Sequence, residues 1–160
     1  MTPHPRVLVA VYASPVAAAL ASIGAELGYR VVLVEPDTQR REAASWAGHA
    51  VPDLAGLDGD PELAAADVVV ADHHRDDLGV HLRDALARPV RWVGIMGNPR
   101  HEGPHVAALA ELGVPPEDVA RVHRPIGLDI GSRAPAEIAV ATLAGLLADR
   151  NGRPGGFLDR

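Results

Sequence analysis

The chain has 160 residues, 48% of them hydrophobic, and no cysteine; it can bury one ordinary core but forms no disulfide, thiolate metal site or thiol nucleophile. Its formal net charge is −6, its pI is near 5.7, and all fifteen basic residues are Arg, a balance without the basic footprint of a nucleic-acid binder. No apolar run approaches the ~18 residues of a membrane span, and Met1 to Pro5 lacks the basic start and apolar core of a signal peptide, so a cytoplasmic protein with no membrane partner is expected.

In chain order, Val7-Leu-Val-Ala-Val11 is a continuous apolar run and predicts a first strand. Pro15 to Leu27, stopped by Gly28, predicts a helix, and Val31-Val-Leu-Val34 a second strand. A short strand is expected around His49 to Val51, then a helical stretch from Pro61 to Ala66 and a strand at Val68-Val-Val70. Asp76 and Asp77 read as an N-cap pair for a helix over Asp77 to Ala87, closed by Pro89. Trp92-Val-Gly-Ile95 is the next strand, His105 to Leu112 a helix closed by Gly113, and Ala120 to His123 another short strand. Pro135 to Leu147 is apolar nearly all round, which places the last helix centrally or at a dimer interface.

Runs that are apolar on both faces suit a parallel sheet covered by helices, and strand alternating with helix argues for α/β. The expected fold is a Rossmann-like doubly wound domain over residues 1–150, with a mainly parallel sheet of about six strands and helices on both faces. Residues 151–160, with Gly155, Gly156 and Pro154, read as a tail that is disordered or strapped onto a partner.

A dinucleotide-binding domain of this kind runs from its first strand into GxGxxG or GxGxxA, where the first Gly makes the turn and the second lets the pyrophosphate approach the helix. Here the corresponding residues are Tyr12-Ala13-Ser14-Pro15, with Ala17 in the third, small position. Both ligand-facing glycines are absent, yet Glu35 stands at the end of the second strand, where an acid would bond a ribose hydroxyl. Two readings stay open: an altered phosphate-bearing ligand held by Ser14 and the helix end, or a fold kept for protein contacts. NAD(P) or FAD binding with hydride transfer is disfavoured by the degenerate fingerprint.

Ligands of open α/β sheets bind beyond the carboxyl ends of the strands. That rule nominates Ser14, Glu35, Asp72 with His73 and His74, Gly97 with Asn98 and Arg100, and Gly127 with Asp129 and Gly131. Asp72, His73 and His74 have metal-ligand chemistry, but neighbours on an extended segment point to opposite sides, so no metal site is expected and one His should face the crevice while the other lies at the surface. His101 and His105 are spaced i, i+4, with Gly103-Pro104 between them, and read as two solvated histidines. Arg100, behind Gly97-Asn98, is placed to hold a phosphate bidentately. No nucleophile elbow, Walker loop or HExxH occurs, and no catalytic residue is nominated.

The densest local signal is Arg124-Pro-Ile-Gly-Leu-Asp-Ile-Gly131 ahead of Pro135-Ala-Glu-Ile-Ala-Val. It resembles the C-terminal signature of the XdhC/CoxI family, accessory proteins of molybdenum hydroxylases of the xanthine dehydrogenase and carbon monoxide dehydrogenase type. Arg91-Trp-Val-Gly-Ile-Met-Gly-Asn-Pro-Arg100 resembles that family's YVG-hydrophobic-IGSRR segment, and Asp67-Val-Val-Val-Ala-Asp-His-His74 its strand with a Thr-His-Asp-His-like end. Val7 to Asp37 resembles its opening strand, helix and strand. The chain departs from the pattern at Tyr12 to Pro15, where the family has GAGH, at Asp72, where it has His, and at Ala134, where it has Thr; losing that cap costs about 0.5 to 2 kcal/mol unless Ser132 compensates.

The resemblance covers the Rossmann-like half of the usual member. It implies a chaperone rather than an enzyme, one that binds molybdenum cofactor or delivers it to a molybdenum hydroxylase subunit. A pterin phosphate would touch Ser14, Asn98, Arg100 and the Gly127 to Gly131 turn. The apolar last helix adds the expectation of a homodimer. The alternatives are a NAD(P)- or FAD-binding oxidoreductase-like protein and a non-binding interaction module.

Overall fold

A computed structural model describes residues 4–158. Six strands, β1 (Val7–Val11), β2 (Arg30–Val34), β3 (Ala50–Val51), β4 (Ala66–Val70), β5 (Trp92–Ile95) and β6 (Val122–His123), form one sheet in the order β3-β2-β1-β4-β5-β6. Every pairing is parallel, and β1 runs in register with β2 on one side and β4 on the other. This is the Rossmann order, with the reversal of winding between β1 and β4.

Strand alternation sorts the core into two layers. Val7, Val9 and Val11 face the side covered by α3 (Leu78–Leu86) and α4 (Pro104–Glu111), where Leu78, Leu82 and Leu109 are buried with them. Leu8 and Val69 face α1 (Pro15–Glu26) and α6 (Pro135–Arg150), meeting Val16, Leu20, Leu143 and Leu146. The helices lie on both faces, as the doubly wound pattern requires. Two short helices, α2 (Thr38–Ala43) and α5 (Pro116–Val119), occupy connections.

At the amino edge the buried carboxylate of Asp67, on β4, accepts from Arg91 Nε at 2.6 Å and from Arg150 Nε at 3.0 Å. Arg150 also donates to the Ala65 carbonyl at 2.6 Å. One side chain thereby ties β4 to the start of β5 and to the last turn of α6. Burial raises the Asp67 carboxyl above its ordinary range, and the two guanidiniums oppose that shift.

Several local expectations need correction. Pro61 to Ala66 is no α-helix: 3-10 turns cover Leu54–Leu57 and Leu63–Ala65, and Ala66 already belongs to β4. Asp77 occupies the N-cap position of α3 without capping it, because its carboxylate is engaged elsewhere. Ala134 provides no side-chain cap for α6, while Ser132 Oγ accepts from the Ala134 N–H at 3.2 Å and also bonds Glu137.

α6 buries Ala139, Ala141, Thr142, Leu143 and Leu146 and leaves Ala136, Glu137 and Val140 exposed. The tail turns back on α6, with the Arg153 N–H donating to the Ala148 carbonyl at 2.8 Å and Gly155 close to Leu128. Phe157 and Leu158 are fully exposed. The last two residues of the expected tail, and the first three of the chain, lie outside the described residues. Among the described residues no helix is long and apolar enough to cross a membrane.

Candidate functional site

β1 is followed directly by Tyr12, the one described non-glycine residue with positive φ, at 77°. That left-handed turn sends the phenol to the α3 face, among the residues around Val9 and Val11, and buries it completely. Such a conformation costs a non-glycine residue about 1 to 3 kcal/mol and persists where surrounding contacts enforce it. Here they are explicit. Tyr12 Oη donates to Asp77 Oδ1 at 2.6 Å, the ring meets His81 edge-on at 5.4 Å, and the Arg75 guanidinium lies 4.3 Å from the ring centre. His81 Nε2 lies 3.2 Å from the other Asp77 oxygen.

Arg75 continues the network to Glu35. Its two terminal nitrogens donate to the Glu35 carboxylate at 3.2 and 2.8 Å, and the backbone N–H groups of Ala13 and Asp37 donate to the same group at 2.9 Å each. Glu35 is 0% exposed. Burial alone disfavours its charge, but the bonds from Arg75 and the two amides outweigh it, and its pKa falls below the ordinary 4.5. Burial, with the Asp77 carboxylate beside it, pushes the Tyr12 phenol far above its usual range. The acid that a ribose hydroxyl would need is thus fully engaged by its own chain. Ser14 is engaged as well: its Oγ caps α1 by accepting from the Ala17 N–H at 3.0 Å and donates to the Ala71 carbonyl at 3.1 Å.

Beyond this network lies an open cleft of about 390 Å³, lined by Ala13, Ser14, Pro15 and Ala18 from α1 and its approach, and by Arg40, Ala44 and Trp46 from α2 and its exit. It is the concavity left beside the α1 N-terminus.

The β4–β6 half of the edge has a different character. Asp72 Oδ1 accepts from the His74 N–H at 2.9 Å, so residues 72–74 form a tight turn rather than an extended segment. The His73 and His74 rings consequently lie together, centroids 4.0 Å apart, against the expectation that they part. Arg124, directly after β6, reaches back to the loop after β5 and donates to the carbonyls of Asn98 at 3.0 Å and His101 at 2.8 Å. Gly97 exists for this side chain: a Cβ there would lie 2.2 Å from Arg124 Nε. His105, in the first turn of α4, is 7% exposed, correcting its reading as a solvated residue, while His101 is exposed.

Arg100 is exposed, with its N–H bonded to Asn98 Oδ1 at 2.9 Å. Among the described residues no three His, Asp or Glu converge as metal ligands. Gly127 and Gly131 adopt φ of 88° and 68°. A Cβ on Gly127 would come within 3.1 to 3.3 Å of Ala141 and Thr142, and the Leu128 N–H donates to the Ala141 carbonyl at 3.1 Å. Gly127 is therefore occupied in seating its loop on α6. Asp129 and Gly131 are exposed at the loop's outer side.

The expected residues thus divide. Ser14 and Glu35 stand together at the first crevice with internal partners; His73, Gly97 and Asn98 gather around Arg124; Arg100, Asp129 and Gly131 face solvent. Sequence reasoning missed Arg75, Arg124, His81 and the burial of His105. Arg124 carried a signal as the first residue of the Gly/Pro-rich stretch, whereas Arg75 is one Arg in a polar loop and is marked by position only in three dimensions.

The family model described as the XdhC Rossmann domain matches residues 8–146. The uncharacterized protein YqeB of Escherichia coli (strain K12) is 34% identical over 91 residues, which cover 57% of this chain and 16% of that protein. A crystal structure described as a xanthine dehydrogenase from Bacillus halodurans superposes with a TM-score of 0.71 at 21% identity, over 92% of this chain and 45% of that one. The chain spans less than half the length of either relative. A strand order of 3-2-1-4-5-6 and a family match running from β1 into α6 lead to one conclusion: this chain belongs to the XdhC Rossmann domain family.

Proposed function

We propose that this protein is an accessory factor in the maturation of a xanthine dehydrogenase-type molybdenum hydroxylase, binding molybdenum cofactor as cargo and handing it to the hydroxylase subunit. The observation that carries the reading is the match to the XdhC Rossmann domain over residues 8–146, and the saturation of Glu35 by Arg75 and two backbone amides weighs on the alternative. That saturation argues against use of the crevice for NAD(P) or FAD, because a ribose would have to compete with four hydrogen bonds on Glu35, two of them from Arg75. Arg40 and Trp46 in the open cleft suit a flat, phosphorylated ring system, since an indole face and a guanidinium complement its two parts. Binding without turnover, action in the cytoplasm and a homodimer with the exposed Val140 face of α6 at its interface belong to the same proposal.

The test is reconstitution. The protein is purified from a host that makes molybdenum cofactor and mixed with a cofactor-free hydroxylase of this class. Recovery of hydroxylase activity that exceeds recovery with free cofactor is expected. Equal recovery with and without the protein would contradict the delivery role.

A further inference from the structure

We propose that His73, His105 and Arg124 form a binding site for a phosphate-class oxyanion at the carboxyl edge of β4, β5 and β6, separate from the cleft beside α1. Three buried nitrogens in this region, His73 Nδ1, His105 Nδ1 and Arg124 Nε, have no hydrogen-bond partner. An orphaned buried N–H costs about 1 to 3 kcal/mol; Arg124 Nε is one, and the two imidazole Nδ1 atoms are donors in their Nδ1–H tautomers.

Two glycines bring these groups together. A Cβ on Gly103 would lie 2.4 Å from His105 Nδ1 and 2.8 Å from Arg124 Cδ, and a Cβ on Gly97 would collide with the Arg124 guanidinium. The imidazole and the Arg124 Cδ methylene therefore share the space above Gly103, with the guanidinium over Gly97. His73 enters from the turn after β4, and the Arg124 charge acts on both imidazoles.

The permanent charge here is that of Arg124, whose two terminal nitrogens donate to backbone carbonyls. Among the described residues no carboxylate forms a salt bridge with Arg124, His73 or His105. Asp72 is the acid that acts on His73, and its Oδ1 is bonded to the His74 N–H. Burial, followed by the neighbouring His74 at His73 and by Arg124 at His105, lowers both imidazole pKa values below the usual 6.5, and Asp72 opposes the shift at His73. The α4 N-terminus adds the positive end of a helix dipole. The first half of the sheet edge pairs its buried guanidinium, Arg75, with the Glu35 carboxylate; the second half gives Arg124 carbonyl partners and no carboxylate. An oxyanion with several acceptor oxygens complements the Arg124 charge, which a cation would oppose.

The inference stands independently of what the protein carries. The test is imidazole 15N NMR on the full chain, titrated with inorganic phosphate or with methyl phosphate against sodium chloride of matched ionic strength. Saturable movement of the His73 and His105 resonances, with His49 and His123 unmoved, is expected for at least one of the two phosphates. H105N should weaken that binding by about tenfold or more. Because Arg124 also holds the loop after β5, R124Q is read only alongside H105N. Absence of saturable movement with both phosphates in folded protein overturns the site, as does equal movement of all the histidines, which would be bulk ion screening. Phosphate binding without hydroxylase reconstitution would leave this site standing and remove the delivery role.

Discussion

Glu35 is a buried carboxylate made tolerable by donors on three sides: Arg75, the Ala13 amide and the Asp37 amide. Its depressed pKa links stability to pH with a definite sign. The folded pKa is lower than the unfolded one, so the contribution is complete above about pH 4.5 and disappears as the pH falls through the folded value. Glu35→Gln should therefore lower unfolding free energy by about 2 to 3 kcal/mol near neutral pH, with a gap to wild type that narrows as pH drops below 4.5. Urea denaturation of both proteins across that range measures it; a gap independent of pH would show that Glu35 is not held ionised by its partners. At this scale the sequence was only half legible. Glu35 stood out through its place after β2, but its partner lies forty residues away in a loop. The positive φ of Tyr12 could be suspected because a glycine turn was missing there, yet its side-chain direction depends on Asp77 and His81.

Among the elements, continuous apolar runs identified β1, β2, β4 and β5 because a strand covered on both faces needs no polar alternation. The short helices α2 and α5 escaped because neither buries a residue and so neither carries an apolar stripe. Pro61 to Ala66 misled for a related reason: its helix-forming composition is overridden by β4, which pairs with β1 from Ala66 onward. α6 appeared apolar all round because its small residues serve close approach, with Gly145 and Ala141 against the Gly127 loop. The tie that holds α6 to the sheet edge is polar. Asp67→Asn leaves Arg91 and Arg150 without their buried anion. It should cost about 3 kcal/mol, at the low end for a broken buried pair because Arg91 keeps Asp149 and both guanidiniums reach water. The corresponding fall in Tm is roughly 6 to 12 °C by thermal unfolding, and a change under 2 °C would make the tie energetically idle.

For the whole molecule, the two halves of one sheet edge have diverged. In the β1–β3 half, Tyr12, Glu35, Arg75 and Asp77 form a closed internal network beside an open cleft with Trp46 and Arg40. In the β4–β6 half, His73, His105 and Arg124 each hold a buried nitrogen without a partner. The doubly wound architecture was legible from the order of strands and helices, and the family from four separate stretches. The division of the edge was not, because it depends on which polar side chains find one another across the sheet. The central proposal is that the first crevice serves no dinucleotide and that the protein carries a pterin cargo. Native mass spectrometry of untagged protein, purified without oxygen from a host that makes molybdenum cofactor, tests it most directly. The account predicts a retained mass matching molybdenum cofactor or its pterin; a retained NAD(P) or FAD mass, or protein free of any adduct, would contradict it.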